Sequence, residues 1–86
     1  MFPVASQFEV KVYPNPSSNN FNLDIQSSST EKIQVRIFDL TGHLIEEQND
    51  LLLTTLTFGE SLPSAVYFVE VKQGPNTRMI RIIKTK

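Results

Sequence analysis

The sequence predicts an all-β domain of short antiparallel strands, and three observations carry that prediction. Apolar and polar residues alternate strictly in three early segments, Phe8–Val12, Phe21–Gln26 and Ile33–Ile37, which is the period of a half-buried strand. Clusters of Pro, Gly, Asn and Ser interrupt the chain at roughly ten-residue intervals, as turns between strands do. The last two apolar runs, Ala65–Lys72 and Thr77–Lys86, flank Gln73-Gly74-Pro75-Asn76. There Gly accepts positive φ, Pro fixes φ and Asn bonds its own backbone, so the pair reads as a terminal β-hairpin.

Residues 1–7 hold a Pro and no sustained period, so they read as a linker remnant, with Met1 opening an excised piece of a longer protein. The first strand, Phe8–Val12, is stopped by Tyr13-Pro14-Asn15-Pro16, because proline lacks an N–H and biases its predecessor to extended geometry. Phe21–Gln26 is the second strand. Ile33, Val35 and Ile37 mark the third, and the loss of parity at Phe38 and Leu40 suggests a bulge or a strand end covered on both faces. Thr41-Gly42 turns the chain into a weaker fourth strand, His43–Gln48. Asn49-Asp50 is then expected to separate that strand from a fifth over Leu51–Phe58. A helical alternative for residues 43–56 rests on the leucines, but Thr54, Thr55 and Thr57 disfavour helix and residues 49 and 50 cut the period. Gly59–Ser64 is a loop, and the hairpin supplies strands six and seven. Seven short strands with this spacing predict an antiparallel β-sandwich of immunoglobulin-like type over residues 8–86.

Eighty-six residues make one small domain with little room for an enclosed active site. The net charge of −1 gives no general attraction to nucleic acid or membrane, and no apolar run is long enough for a membrane helix. Cysteine is absent, so disulfides and thiolate metal sites are excluded. The charge is uneven. Residues 72–86 hold five of the eight basic groups (Lys72, Arg78, Arg81, Lys84, Lys86) and no acid, whereas residues 1–71 hold three basic groups and all nine acids. A terminal strand with its own charge sign suits presentation to a partner: it is expected at or near a sheet edge, where unpaired N–H and C=O groups can accept a partner strand while exposed Arg81, Lys84 and Lys86 meet acidic groups.

Catalytic chemistry finds little support. His43, the sole histidine, follows a turn and reads as an exposed turn residue. Asp24, Asp39, Glu46, Glu47 and Asp50 are dispersed and lack calcium-loop spacing. Gly59 and Gly74 sit in no phosphate-binding fingerprint, and Asn15-Pro16-Ser17 fails as a glycosylation acceptor because its middle residue is Pro. Trp is absent and Tyr occurs twice, so a stacking platform for sugars or bases is poorly supplied. Tyr67 reads as a core ring with its hydroxyl hydrogen-bonded near the sheet edge. No cofactor or metal is expected.

In order along the chain, Val12-Tyr13-Pro14-Asn15-Pro16, Phe21-Asn22-Leu23, Ile37-Phe38-Asp39-Leu40-Thr41-Gly42, Leu62-Pro63-Ser64-Ala65-Val66-Tyr67-Phe68-Val69 and Arg81-Ile82-Ile83-Lys84 resemble the punctuation of one family. It is the type A C-terminal sorting domain of the type IX (Por) secretion system of certain Gram-negative bacteria. The resemblance covers about residues 10–86 and implies an immunoglobulin-like, non-catalytic address domain that takes an N-terminal cargo domain across the outer membrane. Its implied partners are the secretion machinery, which reads the domain after export to the periplasm, and a sortase-like cysteine peptidase. The peptidase removes the domain near its N-terminal boundary, placed here in residues 1–7, and the cargo ends secreted or at the cell surface. The basic terminal strand and the resemblance together give Arg81, Ile82, Ile83, Lys84 and Lys86 as recognition residues, and the resemblance gives Tyr13, Pro14, Asn15, Pro16, Gly42, Tyr67 and Gly74 as mainly structural motif positions. The departure is Ala65, where the family usually has Gly; a positive φ there would cost about 1 kcal/mol or more. An adhesion or carbohydrate-binding sandwich attached to a surface enzyme is the alternative that the fold alone would equally permit. A basic nucleic-acid patch is disfavoured by the lack of interleaved aromatics.

Overall fold

The computed structural model describes residues 8–52 and 54–85. The expected linker at residues 1–7 and the terminal Lys86 lie outside the described residues. Seven strands form: β1 (Phe8–Tyr13), β2 (Phe21–Ser27), β3 (Ile33–Asp39), β4 (Leu44–Leu51), β5 (Thr55–Phe58), β6 (Ala65–Gln73) and β7 (Asn76–Lys84). They make two antiparallel sheets, ordered β1-β2-β5 and β4-β3-β6-β7.

The alternation read from the sequence sets which side chains meet. Phe21, Leu23 and Ile25 of β2 face Ile33, Val35 and Ile37 of β3, Tyr67, Val69 and Val71 of β6, and Ile82 of β7, all buried in one core. Phe21 stacks on Phe58 with ring centroids 5.6 Å apart, an arrangement that adds to the area both rings bury. Burial of this kind, worth roughly 25 cal/mol per Å² of apolar surface, supplies the main favourable term in a domain without disulfides.

Two expectations about β4 need correction. Asn49 and Asp50 do not end the strand; β4 runs through them to Leu51, and β5 begins only at Thr55. The register explains this. Ile33 pairs with Leu51 but Val35 with Gln48, so β4 carries one extra residue beside Asn49-Asp50, and Asp50 takes φ of 59°. Those residues are absorbed in a bulge, a setting in which a left-handed residue is ordinary. A second bulge lies where parity fails at Phe38. Ile37 pairs with Glu46 and Phe38 with Leu44, so the extra residue is Ile45 on the partner strand.

The hairpin turn is also tighter than expected. Gln73 and Asn76 are a paired couple at the strand ends, leaving Gly74-Pro75 as the turn. Gln73 is 3 % exposed, and its amide donates to the carbonyls of Glu31 (2.7 Å) and Ser29 (3.3 Å) while its oxygen accepts from the Ser27 hydroxyl. The buried amide thereby ties down the β2–β3 connection, with its polar atoms paired as burial demands.

At the opposite end of the same sheet, Tyr67 is buried and its hydroxyl donates to the carbonyl of Pro63 at 2.7 Å. A tyrosine near the start of this strand, bonded to backbone a few residues upstream, is the corner that immunoglobulin-like sandwiches use to fix the crossing between sheets.

Candidate functional site

The motif segments that lie far apart in the sequence meet at one end of the sandwich. Asp39 pairs with Tyr67 and Tyr67 with Ile82, so the β3–β4 turn, the start of β6 and the end of β7 stand side by side. The loop after β1 arrives there from the other sheet. Gly74 is the exception, at the far hairpin.

The loop does more than leave the sheet. β1 stops at Tyr13, and the Tyr13-Pro14 and Asn15-Pro16 peptides are both cis. Between those prolines the Asn15 side chain lies along the outer edge of β7 and acts as a stand-in strand. Its Nδ2 donates to the Arg81 carbonyl at 2.8 Å and its Oδ1 accepts from the Ile83 N–H at 3.0 Å. Ser17 continues the pattern in backbone: its N–H donates to the Ile83 carbonyl at 3.0 Å, and its carbonyl accepts from the Thr85 N–H at 2.8 Å. The Ser17 hydroxyl closes the loop on itself, donating to Asn20 O at 2.6 Å and accepting from Asn19 N at 3.1 Å. Nothing in the alternation signalled this clamp; an Asn set between two prolines was the available cue, since its amide copies a backbone peptide.

The clamp corrects one expectation and Lys84 corrects another. The terminal strand is a sheet edge, as expected, but its outward groups from the Arg81 carbonyl to the Thr85 N–H are paired, so that stretch offers no free ladder. Lys84, expected to stand out beside Arg81, is 6 % exposed. It belongs to the inward row with Ile80 and Ile82, and its ammonium donates to the carbonyls of Gly59 (2.5 Å) and Glu60 (3.1 Å). A buried cation must be paired with acceptors, and here it anchors the β5–β6 loop. Ile82 is fully buried and Ile83 half-buried, while Arg81 is exposed. Of the expected recognition residues, Arg81 is therefore the freely presented charge among the described residues.

The neighbouring turn is built on Asp39. Its Oδ1 accepts from the Thr41 hydroxyl (2.6 Å), the Thr41 N–H (2.9 Å) and the His43 N–H (3.0 Å), and Gly42 follows at φ of 88°. The Thr41 hydroxyl bond first, then the His43 N–H, hold the Asp39 carboxyl below its ordinary range. His43 is exposed, and its backbone N–H closes this turn. On the outer face of the larger sheet, Phe38, Phe68, Leu40 and Met79 line a shallow cleft, with the Arg36 guanidinium 5.4 Å from the Phe38 ring centre and bridged to Glu70 at 2.5 Å. No group of three or more metal-ligating side chains occurs among the described residues.

Ala65 opens β6 opposite Lys84 and is not among the residues with positive φ. The strain that Ala would have met there does not arise.

The fold is similar to that of a crystallised DUF3244 family protein with an immunoglobulin-like β-sandwich from Bacteroides vulgatus ATCC 8482. The two share a TM-score of 0.68 and 16 % identity over 96 % of this chain and 100 % of that one. No curated protein is significantly similar in sequence. The sequence model of the secretion system C-terminal sorting domain matches residues 11–85.

Proposed function

This chain belongs to the family of C-terminal sorting domains of the type IX (Por) secretion system, and from that premise we propose that its terminal strand is the feature the secretion machinery reads. As a sorting signal it commits an attached cargo to export, to the cell surface or beyond. In this reading the domain catalyses nothing itself, and a sortase-like cysteine peptidase separates it from its cargo near the boundary in residues 1–7, the stretch whose sequence shows no sustained period. The cargo is the domain N-terminal to it in the parent protein.

The observation that carries the reading is the position of Arg81. It is exposed on an edge strand of a sheet, in an arm without acids, on a domain whose remaining residues are net acidic. Ile83 lies beside it, half-buried, and Lys86 follows in sequence. Lys84 supports the same reading indirectly, by holding the strand end in place.

The test is export of a reporter fused to residues 1–86 in a host with this secretion system, comparing wild type with Arg81→Gln plus Lys86→Gln. Lys84 is left intact because its burial would confuse unfolding with lost recognition. Arg81 is exposed, and a substitution at such a position changes stability by about 0.5 kcal/mol or less, so the double variant should fold and its fusion should remain in the periplasm. Normal export of the folded variant would move the signal off the basic arm.

A further inference from the structure

The clamp covers only the C-terminal half of the β7 edge. In the β6–β7 ladder the closing pair is Gln73 with Asn76, so outward-facing groups fall on alternate residues: 77, 79, 81, 83 and 85. The last of these are taken by Asn15 and Ser17. The Thr77 carbonyl accepts from the Arg78 guanidinium at 3.1 Å. The N–H and C=O of Met79 and the N–H of Arg81 have no partner among the described residues. We propose that this open stretch, Thr77–Arg81, is a strand-addition site for an extended polypeptide segment that alternates apolar and acidic residues; the proposal rests on the sorting reading and gives the chemistry of the partner in it.

The other three sheet edges are poor hosts by comparison. β4 is broken by two bulges and carries Glu46, Glu47 and Asp50; β5 is four residues long; β1 exposes Glu9 and Lys11, whose mixed signs select no charge. Bulges, short length and charges are the usual protection of an edge. β7 has an unbroken register over nine pairs, so it is the regular edge of the four.

Side chains on the two faces of this stretch define the guest. Behind Arg78, whose guanidinium lies over the Phe8 ring, the inward face presents Ile80, half-buried, and across the seam Val10 and Val12 of β1, which pack only partly on the core. An added strand would cover them with its apolar residues. The outward face presents Met79, 55 % exposed, then Arg81, with Lys72 one strand in beside Thr77; the charge of Glu70 is already met by Arg36. Acidic residues on that face of the guest would meet Arg81 and Lys72, and main-chain bonds would supply the register. The guest strand would abut Asn15, so the clamp also sets where it stops.

The probe is a synthetic peptide of four valine–glutamate repeats, added to isotope-labelled domain, with amide hydrogen exchange read residue by residue. The expected result is at least about tenfold slower exchange at Met79 and Arg81, with no change along β4. Binding should weaken about fivefold in Arg81→Gln and fall with added salt. Met79→Pro removes an outward N–H without touching the β6 ladder, as prolines at sheet edges do, and should abolish binding. Should that variant fail to fold, Arg81→Gln and the salt response decide alone. Equal binding of a valine–lysine peptide, protection along β4, or binding retained by folded Met79→Pro overturns the proposal. Export of the wild-type reporter fusion without peptide protection at Met79 and Arg81 overturns the strand-addition site alone. A wild-type fusion that is not exported overturns the sorting reading, whatever the peptide does.

Discussion

Gly59 shows how a single position can hold two loops and the core together. Its φ is 87°, its carbonyl receives the Lys84 ammonium, and a Cβ added there would lie 2.8 Å from Phe21 Cδ2 and 3.3 Å from Leu62 Cδ1. Left-handed geometry costs a non-glycine residue about 1 kcal/mol, and pressing a methyl into a packed ring adds about 1–3 kcal/mol. Gly59→Ala should therefore lose about 2–4 kcal/mol in urea unfolding, whereas at Gly42, where the same Cβ meets no atom within 4 Å, only the backbone cost applies. Equal losses at the two glycines would show that the ring contact does not matter. In the sequence Gly59 looked like any loop glycine, because the closeness of Phe21 depends on β2 and β5 being paired, and that is a long-range fact.

Among the elements, β7 depends most on residues outside its own sheet. Asn15→Ala removes two hydrogen bonds from its edge and leaves the Arg81 carbonyl and Ile83 N–H to solvent. At about 0.5–1.5 kcal/mol for each bond, the domain should lose about 1–3 kcal/mol, a fall of roughly 4–24 °C in melting temperature for its size. Faster amide exchange confined to Ile83 and Thr85 would mark the loss as local. A loss with uniform exchange along the sheet would mean that Asn15 acts through the loop fold and not through the clamp. Strands with a strict two-residue period (β1, β2, β3 and the final hairpin) were legible because each buries one face, and the period alone fixes which face. β4 was legible only as a weaker strand ending at Gln48, since its extra residues at Ile45 and near Asp50 break the period that would announce it, and its turn-forming Asn49-Asp50 sits inside the strand.

For the whole molecule, the architecture was readable from patterning and the family from ordered punctuation, but the candidate site was readable only in part. Arg81 stands where its exposed charge was expected. Lys84 does not, because strand alternation puts residues 80, 82 and 84 on one face, and a lysine following two isoleucines on that face can be drawn inward when carbonyls wait for it. The same parity, applied to the last strand as strictly as to the first, would have found it. Gln73 was equally hidden, since a polar residue before Gly-Pro looks like turn surface until the facing loop is known.

The directions of the first and last strands have a mechanical consequence. β1 runs from Phe8, beside Arg78 near the hairpin turn (ring to guanidinium 5.4 Å), toward Asn15 at the clamp, and β7 runs the same way from Asn76 to Lys84, where Ser17 bridges it in parallel. In the proposed reading, cargo attaches at the pole of Phe8 and the strand that is read ends at the other. A pull between them acts along the strands, across bonds that lie perpendicular to it. The bonds of the clamp and its flanking ladders are loaded together in shear, where a pull from a hairpin would open them one after another. The domain is built as a tow-bar, and single-molecule stretching between residues 8 and 85 should give one sharp rupture that Asn15→Ala moves to lower force. A gradual, stepwise lengthening of the wild type would show that the ends unzip.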